Sequence, residues 1–404
     1  MAKKRKRNHY YEDERYYDDR RSHSSRGHKR RRRKKRKIII LIIELIVFLL
    51  LVAALYVWAK LNLIKRDTSI DVANVGISDE VQNNETTKGY TNIALFGLDN
   101  RSNGNLSKGL SDVIMVCSIN NDTGDIKLLS VFRDTYLAQG TDNSTYAKAN
   151  AAYSTGGPEK AIHMLNSNLD LDITDYVTVD FYAVTEAVDL VGGVEVDVTE
   201  DEVDYVNGYA ESVAEVTGKE LNYITGPGLQ TLDGVQATAY CRIRYTSGGD
   251  FTRAQRQRTV LSQIFKKAKK LNAVELDNFV NTILPDIQTS MTNTEILAFA
   301  TKASSYKLAD STGFPFDVYA TDVSEKGSVD VPCTLSSNVT KMYEFLYGQT
   351  DYVPSSTVQA ISDHIVSETG YTEENAADYG IKDDNLSETG TSDSGTSDSS
   401  GTTE

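Results

Sequence analysis

An α/β domain carried behind one N-terminal transmembrane helix is the architecture this sequence predicts. Three observations predict it. The run "IIILIIELIVFLLLVAALYVWA", residues 38–59, contains a single charged residue, Glu44. As a helix it rises roughly 33 Å, enough to cross a bilayer core. Between residues 89 and 372, β-branched runs alternate with segments of helical period, the order of elements that covers a sheet with helices. The flanks are different in kind: residues 60–88 are polar and Asn-rich without sustained periodicity and read as a stalk, and 373–404 are Ser/Thr/Gly/Asp-rich, unable to bury a core, and read as a disordered tail.

Charge fixes the expected topology. Residues 1–37 hold 18 Lys/Arg against 5 Asp/Glu and end in nine consecutive basic residues, Lys29 to Lys37. The positive-inside rule keeps this tail cytoplasmic and sends everything after Lys60 outward, as a single-pass cell-membrane protein with an extracellular domain. Such a juxtamembrane run also attracts anionic membrane lipid. Glu44 lies near the cytoplasmic end of the span and can snorkel. The apolar run is longer than the h-region of a cleaved signal peptide and lacks a small-x-small site. The whole chain has a net charge of −14, which leaves about −26 for residues 60–404 and excludes a general nucleic-acid binder.

The elements follow in order. "TNIALFGLD" reads as a strand ending near Gly97, and "DVIMVCSINNDTGDIKLLSVF" as two strands joined by an Asn-Asn-Asp-Thr-Gly turn. "PEKAIHMLNSNL" reads as a helix with Pro158 at its start. "YVTVD" is a strand, "FYAVTEAVDLV" a helix stopped by Gly192-Gly193, and "VEVDV" a strand. "DGVQATAYCRIRY" reads as a short helix running into a strand, and "DFTRAQRQRTVLSQIFKKAKKL" as a long amphipathic helix with Asp250 as N-cap. Further helices between 271 and 370 cover the same domain. Cys117, Cys241 and Cys333 cannot form a disulfide framework; Cys117 and Cys241 both fall in expected strands and are free to pair, or are buried thiols. Outside the tail, His163 and His364 each stand alone, and no HExxH, CxxC or GxxxxGK[ST] motif occurs, which disfavours zinc, dithiol and P-loop chemistry.

The chemistry gathers at strand ends. A hairpin sets the start of its first strand beside the end of its second, so Asp112 and Arg133 share one end, and Asp99 joins them if its strand runs parallel to the second. Two carboxylates and an arginine there suit a divalent cation and a phosphate. In "YCRIRYTSGGDFTRAQRQR" (240–258) there are five arginines and no lysine. Strand alternation points Arg242 and Arg244 the same way, and helical spacing puts Arg253, Arg256 and Gln257 on one face. The Gly248-Gly249 turn can fold these together at a helix N-terminus, itself an anion-binding end. Arginine's planar fork binds phosphate bidentately and keeps its charge. The competing reading is a solvated ladder of surface ion pairs.

Seven ordered blocks, "FGLDNR", "SDVIMVCSIN", "LLSVFRDTY", "YAKANAAY", "VDLVGGVEVDV", "LDGVQATAYCRIRY" and "GDFTRAQRQR", resemble the LytR-CpsA-Psr proteins over residues 90–270. The resemblance implies a mixed central β-sheet flanked by helices, an α/β/α sandwich, holding a polyprenyl pyrophosphate with its lipid in an apolar tunnel. It implies a phosphotransferase that moves a glycopolymer (teichoic acid or capsule in Gram-positive bacteria) from that carrier onto peptidoglycan. On motif position, Arg133, Lys148, Arg242, Arg244, Arg253 and Gln257 would contact the pyrophosphate, and Asp99 and Asp112 would hold Mg²⁺. Two departures stand out: Leu110 precedes Ser111-Asp112 where the family usually has Arg, and Phe132 precedes Arg133 where it usually has Pro. A polyprenyl-phosphate binding or regulatory module without turnover, and a lipid pyrophosphatase, are the alternatives. The general base stays open; Asp134 can orient Arg133, and His163 on its helix reads as structural.

Overall fold

The structure is a computed structural model describing residues 39–99, 106, 109–140, 142–380 and 384–385. The basic tail, Asn100 and Arg101 of the first motif block, and the low-complexity stretch from 386 on lie outside the described residues. Two units are distinguished, Met1–Asn62 and Leu63–Glu404. In the first, helix α1 (Ile39–Leu61) is long and apolar enough to cross a membrane.

The second unit begins with β1 (Lys65–Arg66) and the short helix α2 (Asp79–Gln82), capped by the Ser78 hydroxyl. Strands β2 (Tyr90–Leu98), β3 (Ser111–Asn120) and β4 (Asp125–Val131) follow, the last two joined by a turn in which the Asn120 side chain accepts the N–H groups of Asp122 and Thr123. A second hairpin, β5 (Tyr136–Gln139) and β6 (Thr145–Lys148), leads into α3 (Ala151–Leu169). That helix is broken at Gly157, so Pro158 opens its second piece as expected of a proline at a helix start. Next come β7 (Asp175–Asp180), α4 (Phe181–Leu190), β8 (Val194–Val198), α5 (Glu200–Thr217), β9 (Gly228–Leu232), α6 (Gly234–Tyr240) and α7 (Gly249–Ala268). The chain closes with α8 (Ala273–Ile283), β10 (Gln288–Thr289), α9 (Asn293–Lys302), β11 (Lys307–Phe314), the hairpin β12 (Val318–Val323) and β13 (Gly327–Pro332), α10 (Leu335–Tyr347), α11 (Ser356–Thr369) and β14 (Asp384–Asn385).

The main sheet is mixed, in the order β1-β10-β7-β2-β3-β4-β11-β14. β7, β2, β4 and β11 run one way, because β7 is parallel to β2, β11 is parallel to β4, and β3 is antiparallel to both β2 and β4. Period-two alternation splits the sheet into two faces. Ala94, Phe96 and Leu98 of β2, with Ile114 and Val116 of β3, enter the large core built with α3, α10 and α11. Leu95 faces the other way beside its register partners Met115 and Val177, and Gly97 beside Val113 and Val179. Leu95 and Val177, like Leu261 and Phe265 of α7 and Phe299 of α9, pack against a second cluster around Ile93, Ile119 and Met291. The expected α/β/α sandwich is therefore observed. Fully buried Tyr136, Tyr153, Tyr176 and Tyr343 dominate the first core, each worth on the order of 2 kcal/mol of apolar burial. Their hydroxyls stay hydrogen-bonded: Tyr153 to the Leu106 carbonyl at 2.8 Å and Tyr176 to Asp67 at 2.7 Å.

Two boundaries move. Segment 60–88, expected as a stalk, belongs to the domain from Leu63 onward, since β1 joins the sheet edge and Val75 and Val81 are buried. The tail expected from 373 also packs at first: Tyr379 stacks on Phe251, and β14 pairs with β11. Single buried residues in irregular turns leave no periodic trace in sequence.

A satellite core of α4, α5, α6 and the β8–β9 ribbon sits beside the sheet, around Val188, Val196, Val213, Val235 and Ile243. Gly234 sets its closest approach. A Cβ there would stand 2.2 Å from the Thr185 carbonyl oxygen, and its N–H donates to Asp189 at 2.6 Å. Gly234→Ala should therefore destabilise the domain by about 1–3 kcal/mol through overpacking, read as a lowered denaturant midpoint. An unchanged midpoint would mean α6 is not fixed at this contact.

Candidate active site

The strands deliver their charged ends to one edge of the sheet. Asp99 follows β2, Arg133 lies two residues past the end of β4, and Asp112 is the second residue of antiparallel β3; all three line one cavity of about 490 Å³. Leu95, Met115, Val177, Val184, Leu261 and Ile264 give that cavity an apolar interior. Arg242, Arg244, Arg253 and Gln257 complete its polar part.

The connection bearing Arg242 and Arg244 corrects the expected strand. Residues 241–248 form turns and irregular backbone between α6 and α7, with no ladder partner. Alternation survives without the ladder: Ile243 is buried in the satellite core while Arg242 and Arg244 line the cavity. The Arg242 guanidinium lies over the Phe181 ring at 5.0 Å and the Tyr209 ring at 5.5 Å, with Asp99 Oδ2 3.8 Å away.

Asp112 gathers three guanidiniums. Its Oδ1 accepts from Arg133 Nη1 at 2.7 Å, and its Oδ2 stands 3.5 Å from Arg244 Nη2 and 3.9 Å from Arg253 Nη1. Asp250 was expected as a helix cap, but Gly248 takes the N-cap position. Asp250 instead lies among the same arginines, with Oδ2 3.2 Å from Arg133 Nε and Oδ1 3.4 Å from both Arg244 Nε and Arg253 Nη1. Burial alone would raise its pKa; Arg253, Arg133 and Arg244 outweigh burial and hold it below the usual value. Burial lowers Arg253 to about 10, and it stays charged at neutral pH. For Arg133 the burial penalty is outweighed by Asp112, Asp134 and Asp250, which raise it. Four guanidiniums thus face three carboxylates, and three buried atoms among them remain spare: Arg253 Nε, Asp99 Oδ1 and Asp250 Oδ1 have no hydrogen-bond partner.

Two expected contacts lie elsewhere. Arg256 is not on the cavity wall; it is buried against Glu202 at 2.7 Å and donates to the Ile243 carbonyl at 3.1 Å and the Thr246 hydroxyl at 2.6 Å. The wall follows Arg253, Gln257, Val260, Leu261 and Ile264 along α7, leaving Arg256 on the side facing α5. Lys148 pairs with Asp134 at 3.1 Å, one residue behind Arg133. Arg258, the fifth arginine of the stretch, donates to Ser311 and Asp384. Cys117 and Cys241 are free thiols, both pushed up to about 12 by burial, and Cys241 lies in no strand. His163 is buried on α3, and burial lowers its pKa.

The LytR_cpsA_psr family profile matches residues 56–329. The chain belongs to this family. Similar curated relatives are the polyisoprenyl-teichoic acid–peptidoglycan teichoic acid transferase TagU of Enterococcus faecalis, 30% identical over 52% of this chain and 64% of TagU, and biofilm regulatory protein A of Streptococcus mutans, 31% identical over 49% of each chain. The chain thus spans about half to two thirds of the length of these relatives. The crystal structure of Bacillus subtilis TagV aligns with a TM-score of 0.51 and 26% identity, over 66% of this chain and 99% of TagV. Within this LytR_cpsA_psr domain the two departures have visible consequences. Leu110 is half exposed on the cavity wall, extending its apolar part beside Asp112. Phe132 is buried edge-on against Phe251 at 4.6 Å, tying the start of α7 to the end of β4.

Proposed function

We propose that this chain transfers a glycopolymer with its phosphate from a polyprenyl-pyrophosphate carrier onto peptidoglycan. One observation carries the reading: Arg133, Arg242, Arg244 and Arg253, with Asp99 and Asp112, form most of the polar part of a cavity whose remaining wall is largely apolar. Apolar walls suit a prenyl chain, and convergent guanidiniums suit a diphosphate. The relatives TagU and TagV, both polyisoprenyl-teichoic acid–peptidoglycan teichoic acid transferases, point the same way.

Phosphoryl transfer requires placement and charge neutralisation more than covalent help from the protein. A sugar hydroxyl of the acceptor attacks the phosphorus bearing the glycan and gives its proton to solvent, the bridging P–O bond breaks, and the lipid leaves as its monophosphate with that bond's electron pair. The arginines orient the diphosphate and offset the charge on the departing group. Mg²⁺ would be held by Asp99, through its unpartnered Oδ1, and by Asp112. Among the described residues no cluster of three potential metal-binding side chains occurs, so substrate phosphate and water would complete the shell, as Mg²⁺ commonly has it. Bound there, the ion supplies further charge neutralisation at the leaving phosphate. Helix α1 is compatible with a single-pass anchor, and the basic tail favours a cytoplasmic N-terminus with the domain outside.

The deciding assay incubates the detergent-solubilised chain with a lipid-pyrophosphate-linked oligosaccharide, Mg²⁺ and peptidoglycan fragments. Glycan covalently attached to the acceptor supports transfer. Free glycan phosphate would indicate hydrolysis instead, and binding without either would indicate a non-catalytic lipid-binding module. Arg244→Ala should weaken lipid-pyrophosphate binding by about 1.5–3 kcal/mol, the worth of a charge-assisted hydrogen bond. Unchanged affinity by calorimetry would retire that contact.

A further inference from the structure

One buried acid beside the site has no part in the chemistry above. Asp330 of β13 is 7% exposed, and its Oδ2 has no hydrogen-bond partner. Its N–H donates to the Asp134 carbonyl at 2.9 Å and Thr135 bridges to it, so β13 is joined to the residues directly after Arg133. Two more buried carboxylate oxygens there lack hydrogen bonds. Asp134 Oδ1 has Lys148 Nζ at 3.1 Å without hydrogen-bond geometry, and Asp250 Oδ1 has Arg244 and Arg253 at 3.4 Å in the same condition. The charged groups near enough to act on Asp330 through their fields are Asp134 from the β4–β5 connection, Asp250 from α7, Lys148 from β6, and Arg133. Its own charge would make three acids against those two cations, in a region that solvates charge poorly.

We propose that Asp330 is a positioning residue: in its neutral form it leaves Arg133 directed toward Asp112 and the diphosphate, and as a carboxylate it draws Arg133 back toward β13. Burial first, then Asp134 and Asp250, push its carboxyl up to about 7 against the pull of Lys148 and Arg133. Below that pH it is neutral and competes for neither cation. Above it, Asp330 becomes a rival carboxylate for Arg133, and anion affinity falls as the pH rises. The inference rests on the reading that Arg133 binds the diphosphate.

The test uses the full chain in detergent, inorganic pyrophosphate as probe, and calorimetry from about pH 5.5 to about pH 8.5, bracketing the transition. Wild type and Asp330→Asn meet the same probe at each pH, so its own ionisation cancels in the ratio of their affinities. That ratio should be near one at the acid end and favour the variant by about five- to tenfold at the alkaline end, the usual size of a coupling between sites. A flat ratio overturns the proposal. Absence of binding by either chain at every pH overturns the diphosphate reading itself, and the proposal with it. Asparagine mimics the neutral acid. A carboxyl whose pKa rises on folding lends stability that is lost as the pH climbs through the folded value. Most of that stability is lost between the unfolded carboxyl value of about 4 and the folded one. The variant's Tm should therefore already exceed the wild type's at the acid end, by a margin that widens up to about pH 7 and then holds. A Tm difference that does not change with pH also overturns the proposal.

Discussion

Asp112→Asn should reduce glycopolymer transfer by at least about 10²–10³-fold, the scale of removing one preorganised electrostatic contact from a transition state. The substitution keeps the volume and removes one charge. In the resting site the Asp112 carboxylate is within 4 Å of Arg133, Arg244 and Arg253, and its backbone carbonyl accepts from Arg253 Nη2 at 3.1 Å. Were Asp112 only a counter-ion for these arginines, asparagine would leave the cavity more positive, bind the lipid diphosphate more tightly and keep turning over. As a metal ligand it behaves differently. Metal-free binding of the lipid diphosphate should be retained or strengthened while turnover collapses and stops responding to Mg²⁺. The effect then appears in kcat rather than in KM. Transfer at the wild-type rate, still stimulated by Mg²⁺, would remove Asp112 from the metal site.

That prediction rests on a constellation partly legible in the sequence, and the limits of legibility have physical causes. Asp99, Asp112 and Arg133 could be brought to one edge because hairpin geometry and strand direction are local consequences of a short turn. The pairing of Arg242 with Arg244 on one side of the backbone was also legible, since Ile243 between them demands burial. The absence of a strand around them was not, because a ladder depends on a neighbour that no local pattern announces. Arg256 shows a different limit. A three-residue step along a helix leaves a side chain about 60° from its reference, so either flank could have faced the cavity. The decision belongs to Glu202, 54 residues earlier in the chain. Asp250 carried two compatible roles, cap or counter-ion, and Gly248 at φ 82° took the first. Its three-residue spacing to Arg253 is the local feature compatible with the second. Asp330 had no signal at all: it is one acid in a short strand far beyond the motif blocks, and only the tertiary fold sets it beside Asp134.

Glu202→Ala should cost about 3–5 kcal/mol of stability, the penalty for stranding a buried charge. Both partners are almost fully enclosed, with side chains 7% and 3% exposed for Glu202 and Arg256. Glu202 does two jobs at the start of α5: Oε2 accepts the Thr199 N–H at 2.9 Å in a capping box, and Oε1 accepts from Arg256 Nε at 2.7 Å. Arg256 in turn holds the Ile243 carbonyl and the Thr246 hydroxyl, the two ends of the short segment that carries Arg244. Alanine therefore removes a cap, leaves a guanidinium without its counter-charge, and loosens the loop that feeds Arg242 and Arg244 into the cavity. The stability loss should be accompanied by weaker pyrophosphate binding, although neither residue lines the cavity wall. Removing both charges at once, as in Glu202→Leu with Arg256→Met, should recover much of the stability, because no buried charge is then stranded, but not the anion affinity, because the loop stays untied. Denaturant midpoints and pyrophosphate titrations on the three chains separate these effects. A loss below about 1 kcal/mol for Glu202→Ala would place the pair with ordinary surface ion pairs and end its claim to hold the loop.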